Sequence, residues 1–494
     1  MSNPLIDNNF PASTSLKDYI LKFPENRFYL IISVIVIVLQ LIIYKYLYPY
    51  ANFLIGDSYC YIKEAFDNAQ IANYPIGYPM FLRFFSALTV SDTCLVVFQY
   101  FLVQGAAISL LYTLFYFFNP HKYLKRLLII MTLFNPLLFV IANTVSSDNL
   151  FLSLSVIWIN LLIWIIYRPT KTVIFWHAII LFFLLTVRFN ALFYPFISLF
   201  AFFQSKEQLR LKIVGVFLFS SLMLSFVIYN REKYFEISGK RQFSVFSGWQ
   251  MANNGLYAYR HVPVESRVKV PNKFDKLDAM VRNYFYYANK DSNNRIDNGK
   301  ATYDYMFMQE SPLWIYCLQQ TTLKEGESDL KTGAVVGPLY AEYGAWLILH
   351  YPVQFIEYVI WPNVKKWFIP PMEMIDSYNG GAINVPELIA QWFKYKSVML
   401  TTRVKDPYIF EGIIRLYPLW ACVVYIIFLL SVLYYFIFKW RNNPSNLNRV
   451  VMFITFFWII NFCFNVFASP IQMRHVLFPV QMSNVFSFLI IGVL

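Results

Sequence analysis

Residues 28–47 read FYLIISVIVIVLQLIIYKYL. The run carries one charge, Lys45, placed close to its end. A helix needs about 20 apolar residues to cross the hydrocarbon core of a bilayer. A surface helix of a soluble domain keeps a polar face, and this run has none. It therefore reads as a membrane-spanning helix, extending over 28–49. Working outward, comparable runs stand at 95–118, 126–143, 149–167, 173–187, 189–204, 212–229, 412–438, 450–468 and 475–494. The pattern predicts an all-α polytopic membrane protein with about ten (10–12) transmembrane helices, their boundaries soft by a few residues.

Composition agrees. The chain is 58% apolar and only 14% charged, against about 45–50% and about 25% for soluble domains. Its net charge of +13 does not point to nucleic acid, because the cations form short patches between apolar runs. Patches of that kind set membrane orientation. Met1–Arg27, His121–Arg126, Arg168–Lys171, Ser205–Lys212 and Lys439–Arg449 together hold fourteen Lys and Arg. They alternate with the other connections, so they share one side, and the positive-inside rule makes that side cytoplasmic. An even number of spans then puts both termini inside. Met1–Arg27 lacks the apolar stretch of a signal peptide, so an uncleaved N-terminus is expected. Five cysteines show no zinc spacing and no paired framework; Cys422 and Cys463 lie in apolar runs, and a disulfide between two of Cys60, Cys94 and Cys317 stays open.

Every long polar segment falls on the other, outer side. The chain divides into an N-terminal transmembrane module at 1–229, containing the first outer loop at 50–94, an outer-face segment at 230–411, and C-terminal transmembrane helices at 412–494. Within the outer segment, 346–368 is apolar enough to resemble a further span. It holds Pro352, Pro362, Lys365 and Lys366, and one more span would turn the later basic loops outside. It reads as a helix lying in, or dipping into, the outer interface. Residues 230–345 are polar and Tyr-rich, long enough for a small capping domain, with Asn289–Lys300 read as loop.

The first outer loop begins Ile55-Gly56-Asp57-Ser58-Tyr59-Cys60-Tyr61-Ile62. Ile62, Ala65, Phe66 and Ala69 then recur at helical spacing, with Lys63, Glu64, Asp67 and Asn68 opposite. This is a short amphipathic helix on the membrane surface. It ends at Asn73-Tyr74-Pro75-Ile76-Gly77-Tyr78-Pro79. Asp57 sits where a helix N-cap belongs, and a carboxylate held there can also take a proton from a hydroxyl. The second outer turn, Asn143-Thr144-Val145-Ser146-Ser147-Asp148-Asn149, presents Asp148, again at a cap position. Arg188 lies between two short apolar runs, where it either snorkels to headgroups or meets a partner. Arg474 and His475 stand at the outer end of the last span. Cations there run against the positive-inside trend, and an arginine can hold a lipid phosphate through paired hydrogen bonds. Glu342 and His350 are weaker candidates.

In order and spacing these elements resemble the GT-C superfamily of membrane glycosyltransferases, which includes protein O-mannosyltransferases and lipid A aminoarabinose transferases. The resemblance rests on Asp57 after the first span, the amphipathic helix with its Pro-rich exit, Asp148 in the second outer turn, and the late Arg474-His475 element before Pro479. Gly248-Trp249-Gln250-Met251-Ala252-Asn253-Asn254 and His350-Tyr351-Pro352-Val353-Gln354-Phe355 look like further family stretches. Two positions depart from the pattern. Ser58 follows Asp57 where some members have a second acid, and His475 follows Arg474 where many have Tyr.

The resemblance implies an inverting sugar transfer from a polyprenyl-phosphate donor to a lipid, polysaccharide or protein acceptor, at the outer face of a bacterial inner membrane. It implies Asp57 as general base, Asp148 orienting the acceptor or sugar, and Arg474, with Arg188 and His475, holding the donor phosphate. No cofactor is certain; Asp57 and Asp148 are a candidate pair for a shared divalent metal. The competing expectation is a transporter or flippase for a lipid-linked or anionic solute, which calls for charged groups deep in the bundle. A third is a non-catalytic assembly subunit, in which Asp57 and Arg474 lie far apart.

Overall fold

A computed structural model of the protein describes residues 14–54, 56–288, 302–320, 329–441 and 445–492. Among these residues the fold is helical and contains no strand. The first long helix, α1 (Pro24–Leu47), is followed by two short ones, α2 (Asp57–Phe66) and α3 (Gly77–Leu88). Next come α4 (Asp92–Phe118), α5 (Lys122–Leu133), α6 (Pro136–Asn143), α7 (Ser147–Tyr167), α8 (Lys171–Val187), α9 (Tyr194–Gln204) and α10 (Leu209–Ser238). The segment at 230–411 contains α11 (Val245–Tyr259), α12 (Asp329–His350) and α13 (Trp361–Phe368). The chain closes with α14 (Tyr417–Tyr434), α15 (Ser445–Ala468) and α16 (Met473–Ile491).

Among the described residues, eight helices are long and apolar enough to cross a membrane. Two shorter apolar helices, Lys171–Val187 and Phe189–Gln204, occupy the other two expected spans. This is the make-up of a multi-pass membrane protein. The span expected at 126–143 is interrupted between α5 and α6, because Pro136 cannot continue a helix through its missing N–H. Asn135 covers the break by accepting a hydrogen bond from the Leu137 N–H at 3.1 Å.

The ten apolar segments pack into one bundle with a shared core. Trp158 of α7 stacks on Tyr194 of α9 with ring centroids 4.2 Å apart. Phe200 of α9 stacks on Phe456 of α15 at 4.3 Å. By contrast α1 and α10 leave rows of Ile, Val, Leu and Phe exposed, including Ile31, Val34, Ile35, Phe217 and Leu224. In a bilayer such surfaces face lipid, which supplies the apolar surroundings that other helices supply at the centre.

The bundle has two chemically different ends. At one, the basic connections meet: Arg168 donates to the Thr14 carbonyl at 3.4 Å, Tyr167 donates to the Asn446 carbonyl, and Lys125 donates to Asn119 at 3.1 Å. At the other gather the end of α1, the starts of α2, α4, α7 and α16, and the ends of α6, α8 and α15.

Residues 234–359, joined by Ile71, form a second core that includes Trp249, Tyr340 and Leu347. The helix α10 runs past residue 229 without a break and carries this core out of the bundle. Inside it, α11 and α12 meet through glycines. A Cβ on Gly344 would lie 2.4 Å from the Met251 backbone, and one on Gly248 would lie 2.2 Å from the Gly337 carbonyl oxygen. The stretch 346–368 continues α12 through Pro352–Phe355 and a π turn at Ile356–Ile360 into α13. One side of it is buried at Tyr351, Phe355, Val359 and Trp367, while Leu349, Val353, Ile356 and Trp361 are bare. Trp367 stacks on Tyr425 of α14, with centroids 5.1 Å apart. The loop expected at Asn289–Lys300 lies outside the described residues.

Candidate functional site

A cavity of about 490 Å³ opens at the end of the bundle away from the basic connections. Asp57, Arg188, Arg474 and His475 all line it, and Asp148 lies directly behind its wall. Five residues from four distant parts of the sequence therefore meet at one place.

Local geometry explains how the acids reach it. Both aspartates were expected as helix N-caps, and neither is one. Gly56 caps α2, with φ at +88°, a left-handed conformation that glycine adopts without steric cost. Ser146 caps α7, its hydroxyl accepting from the Asp148 N–H at 3.3 Å. Asp57 and Asp148 instead occupy the first helical turns. There a carboxylate is favoured by the positive end of the helix dipole while its oxygens remain available to other groups. The helix α2 ends at Phe66, earlier than Asn73, because Asn68 turns into the left-handed region with φ at 53°.

The charges are paired across the cavity. Arg474 contacts Asp57 through a guanidinium NH, and the same nitrogen lies 3.6 Å from Asp148. Its Nε donates to the Gln472 side-chain oxygen at 3.0 Å. Arg188 contacts the other oxygen of Asp148, and the Ser146 hydroxyl donates to Asp148 at 3.0 Å. These groups are largely withdrawn from solvent, with Asp148 only 3% exposed and Arg474 11%. In such surroundings, removing one partner leaves a charge without compensation. The place between Asp57 and Asp148, a candidate divalent-cation site from the sequence, is taken by the Arg474 guanidinium. Among the described residues no three His, Cys, Asp or Glu are grouped as metal ligands.

Three tyrosines frame these ions. Tyr74 donates to Asp57 at 3.4 Å, Tyr303 donates to the Pro470 carbonyl at 3.0 Å, and Tyr61 shares a hydrogen bond with Ser147 at 2.9 Å. Burial first, and then the nearby Asp57 carboxylate, push the Tyr74 phenol well above its ordinary range. Burial likewise raises Tyr303. Both therefore act as hydrogen-bond donors at neutral pH.

Two further acids stand in the wall, and neither is evident from the sequence. Glu373 accepts from the Gln472 amide, which links it to Arg474, and Asp304 accepts from Tyr257 at 3.1 Å. Each lies in a long polar segment where neither periodicity nor span ends single it out. Gln472 stands in the same stretch as Arg474, and its place two residues earlier was the available signal. The weaker candidates are elsewhere: Glu342 pairs with Lys273 at the surface, and His350 stacks on Trp346. The stretch 248–254 acts from behind. Asn253 holds the Thr302 carbonyl at 2.9 Å, and Asn254 holds the Ala468 carbonyl at 3.1 Å, fixing two walls of the cavity. The five cysteines form no disulfide.

Compared with protein-family models, with curated proteins and with solved structures, the chain matches none.

Proposed function

We propose that this protein is a GT-C-type glycosyltransferase of the bacterial inner membrane. It moves a sugar from a polyprenyl phosphate, undecaprenyl in such a membrane, to a lipid, glycan or protein acceptor. The basic connections face the cytoplasm with both termini, so the cavity opens at the outer face. The observation that carries the reading is the direct contact of Asp57 with Arg474, 417 residues apart, in a cavity at that end.

The donor phosphate binds where Arg474 and Arg188 converge, drawing Arg474 away from Asp57. Charge-assisted hydrogen bonds from a guanidinium to phosphate match its planar fork. Asp57 is then released to accept the acceptor's proton. The acceptor oxygen bonds to the anomeric carbon from the face opposite the phosphate, and the bond from that carbon to the phosphate oxygen breaks. The anomeric configuration inverts, the proton rests on Asp57, and the leaving polyprenyl phosphate takes the electron pair. Cations fixed beside the leaving oxygen lower the barrier because they need no reorganisation as charge develops. Asp148 keeps Arg188 oriented, and His475 adds a polar contact to the same wall.

Transport of an anionic solute calls for charged groups deep in the bundle. Across the described spanning helices the central turns hold no Asp, Glu, Lys or Arg, and their one titratable imidazole, His177, is tied to Ser198 at 2.9 Å. That favours transfer at one face.

In cells lacking the native copy, Asp57→Asn should leave the protein inserted but abolish its envelope glycan product, with a rate loss of about 10²–10⁴-fold. Mass spectrometry of envelope glycolipids and glycans provides the readout. A wild-type profile in that variant would remove Asp57 as the base.

A further inference from the structure

A second crevice, about 520 Å³, runs between α2 and α3, outside the catalytic cavity. Its wall combines opposite charges with small apolar residues: Glu64 and Asn68 from the α2 side, Arg83 from α3, and Ala65, Ala87 and Phe84 between them. Among the described residues no ion pair joins Glu64 to Arg83 or to any other cation. A carboxyl and a guanidinium thus face one crevice with no ion pair between them.

The surroundings identify the medium. Met80, Phe84 and Leu88 lie on successive turns of α3 and are 52%, 69% and 73% exposed, and Phe66 at the end of α2 is 57% exposed. Side chains of this size left bare on short helices at the end of a membrane bundle embed in the boundary between headgroups and acyl chains. A ligand held there has an apolar tail beside Phe84 and a head that meets a carboxyl and a guanidinium together.

We propose that the α2–α3 crevice binds a zwitterionic phospholipid with a primary amine headgroup, its phosphate on Arg83 and its ammonium on Glu64. A free phosphate would leave the apolar wall unused. A purely anionic lipid would bring negative charge against Glu64. A choline headgroup cannot donate an N–H to the carboxylate. Burial between the helices, opposed by Lys63 and reinforced by Asp67, pushes the Glu64 carboxyl up to about 7. A bound ammonium favours its charged form. The same helix begins at Asp57, so an occupied crevice also braces the element that carries the general base.

The purified full chain is reconstituted in vesicles of phosphatidylglycerol mixed with equal parts of phosphatidylethanolamine and phosphatidylcholine. Lipids retained after mild detergent extraction are counted by native mass spectrometry. Wild type should retain phosphatidylethanolamine over phosphatidylcholine by about tenfold, the range of one charge-assisted hydrogen bond. Glu64→Gln should bring the two to parity, and Arg83→Ala should lower both. Equal retention of the two by wild type, or phosphatidylglycerol displacing both, would overturn the proposal. The headgroup ratio in wild type decides the question even where a variant fails to fold.

Discussion

Arg474 gives its guanidinium to Asp57, Asp148 and Gln472 at once. Under the proposed transfer, a donor phosphate that binds it displaces at least one carboxylate, which would couple donor binding to release of Asp57. The two acids differ in what they hold up. Asp57 shares Arg474 with two other acceptors, whereas Asp148 is the ion-pair partner of Arg188. Asp148→Ala should therefore destabilise the folded protein by roughly 3 kcal/mol, the scale for stranding a buried charge. Adding Arg188→Ala should recover much of that loss. Thermal unfolding in detergent measures both, and an additive double variant would show that the pair is not coupled. At this scale the sequence was partly legible. Asp57 and Arg474 stand out because charge at the end of an apolar run demands a partner. Gly56 takes the cap of α2 because the backbone there has φ at +88°, a region that Asp adopts only with strain, whereas Ser146 takes the cap of α7 with its own hydroxyl. Glu373 and Asp304 were not legible, because what brings them to the cavity is the folding of long irregular segments.

Among the elements, the apolar runs could be read directly, since length and hydropathy alone require a helix in lipid. The contact of α11 with α12 could not be, because it depends on which face of each helix its glycines occupy. That contact holds Asn253 and Asn254 against the cavity walls. Gly344→Ala should cost about 1–3 kcal/mol through overpacking against the Met251 backbone. Gly105→Ala in α4 meets nothing within 4 Å and should be neutral or stabilising, by up to about 1 kcal/mol. A fluorescence-monitored melting series compares them, and equal melting temperatures for the two variants would contradict the close approach. The segment 346–368 shows the limit of hydropathy from the other direction. It is apolar on both sides because one packs on protein and the other is bare, and hydropathy does not distinguish the two.

For the molecule as a whole, the alternation of basic and polar connections gave the arrangement of ends, and the structure collects each set at its own end. The expected orientation can be tested with single cysteines in a cysteine-free background. Lys405→Cys, beside the Arg403 that bonds the end of α1, should react with an impermeant thiol reagent in intact cells. Lys206→Cys should react only after permeabilisation. The reverse pattern would place the cavity in the cytoplasm and remove the outer-face chemistry. In the proposed function the cavity holds a sugar on a polyprenyl phosphate through Arg474. Mass spectrometry of lipids copurifying with the protein tests it most directly. Asp57→Asn, unable to discharge its donor, should carry a polyprenyl-phosphate sugar, and Arg474→Ala should lose it; a preparation of Asp57→Asn with no such lipid, or equal amounts in both variants, would contradict the account.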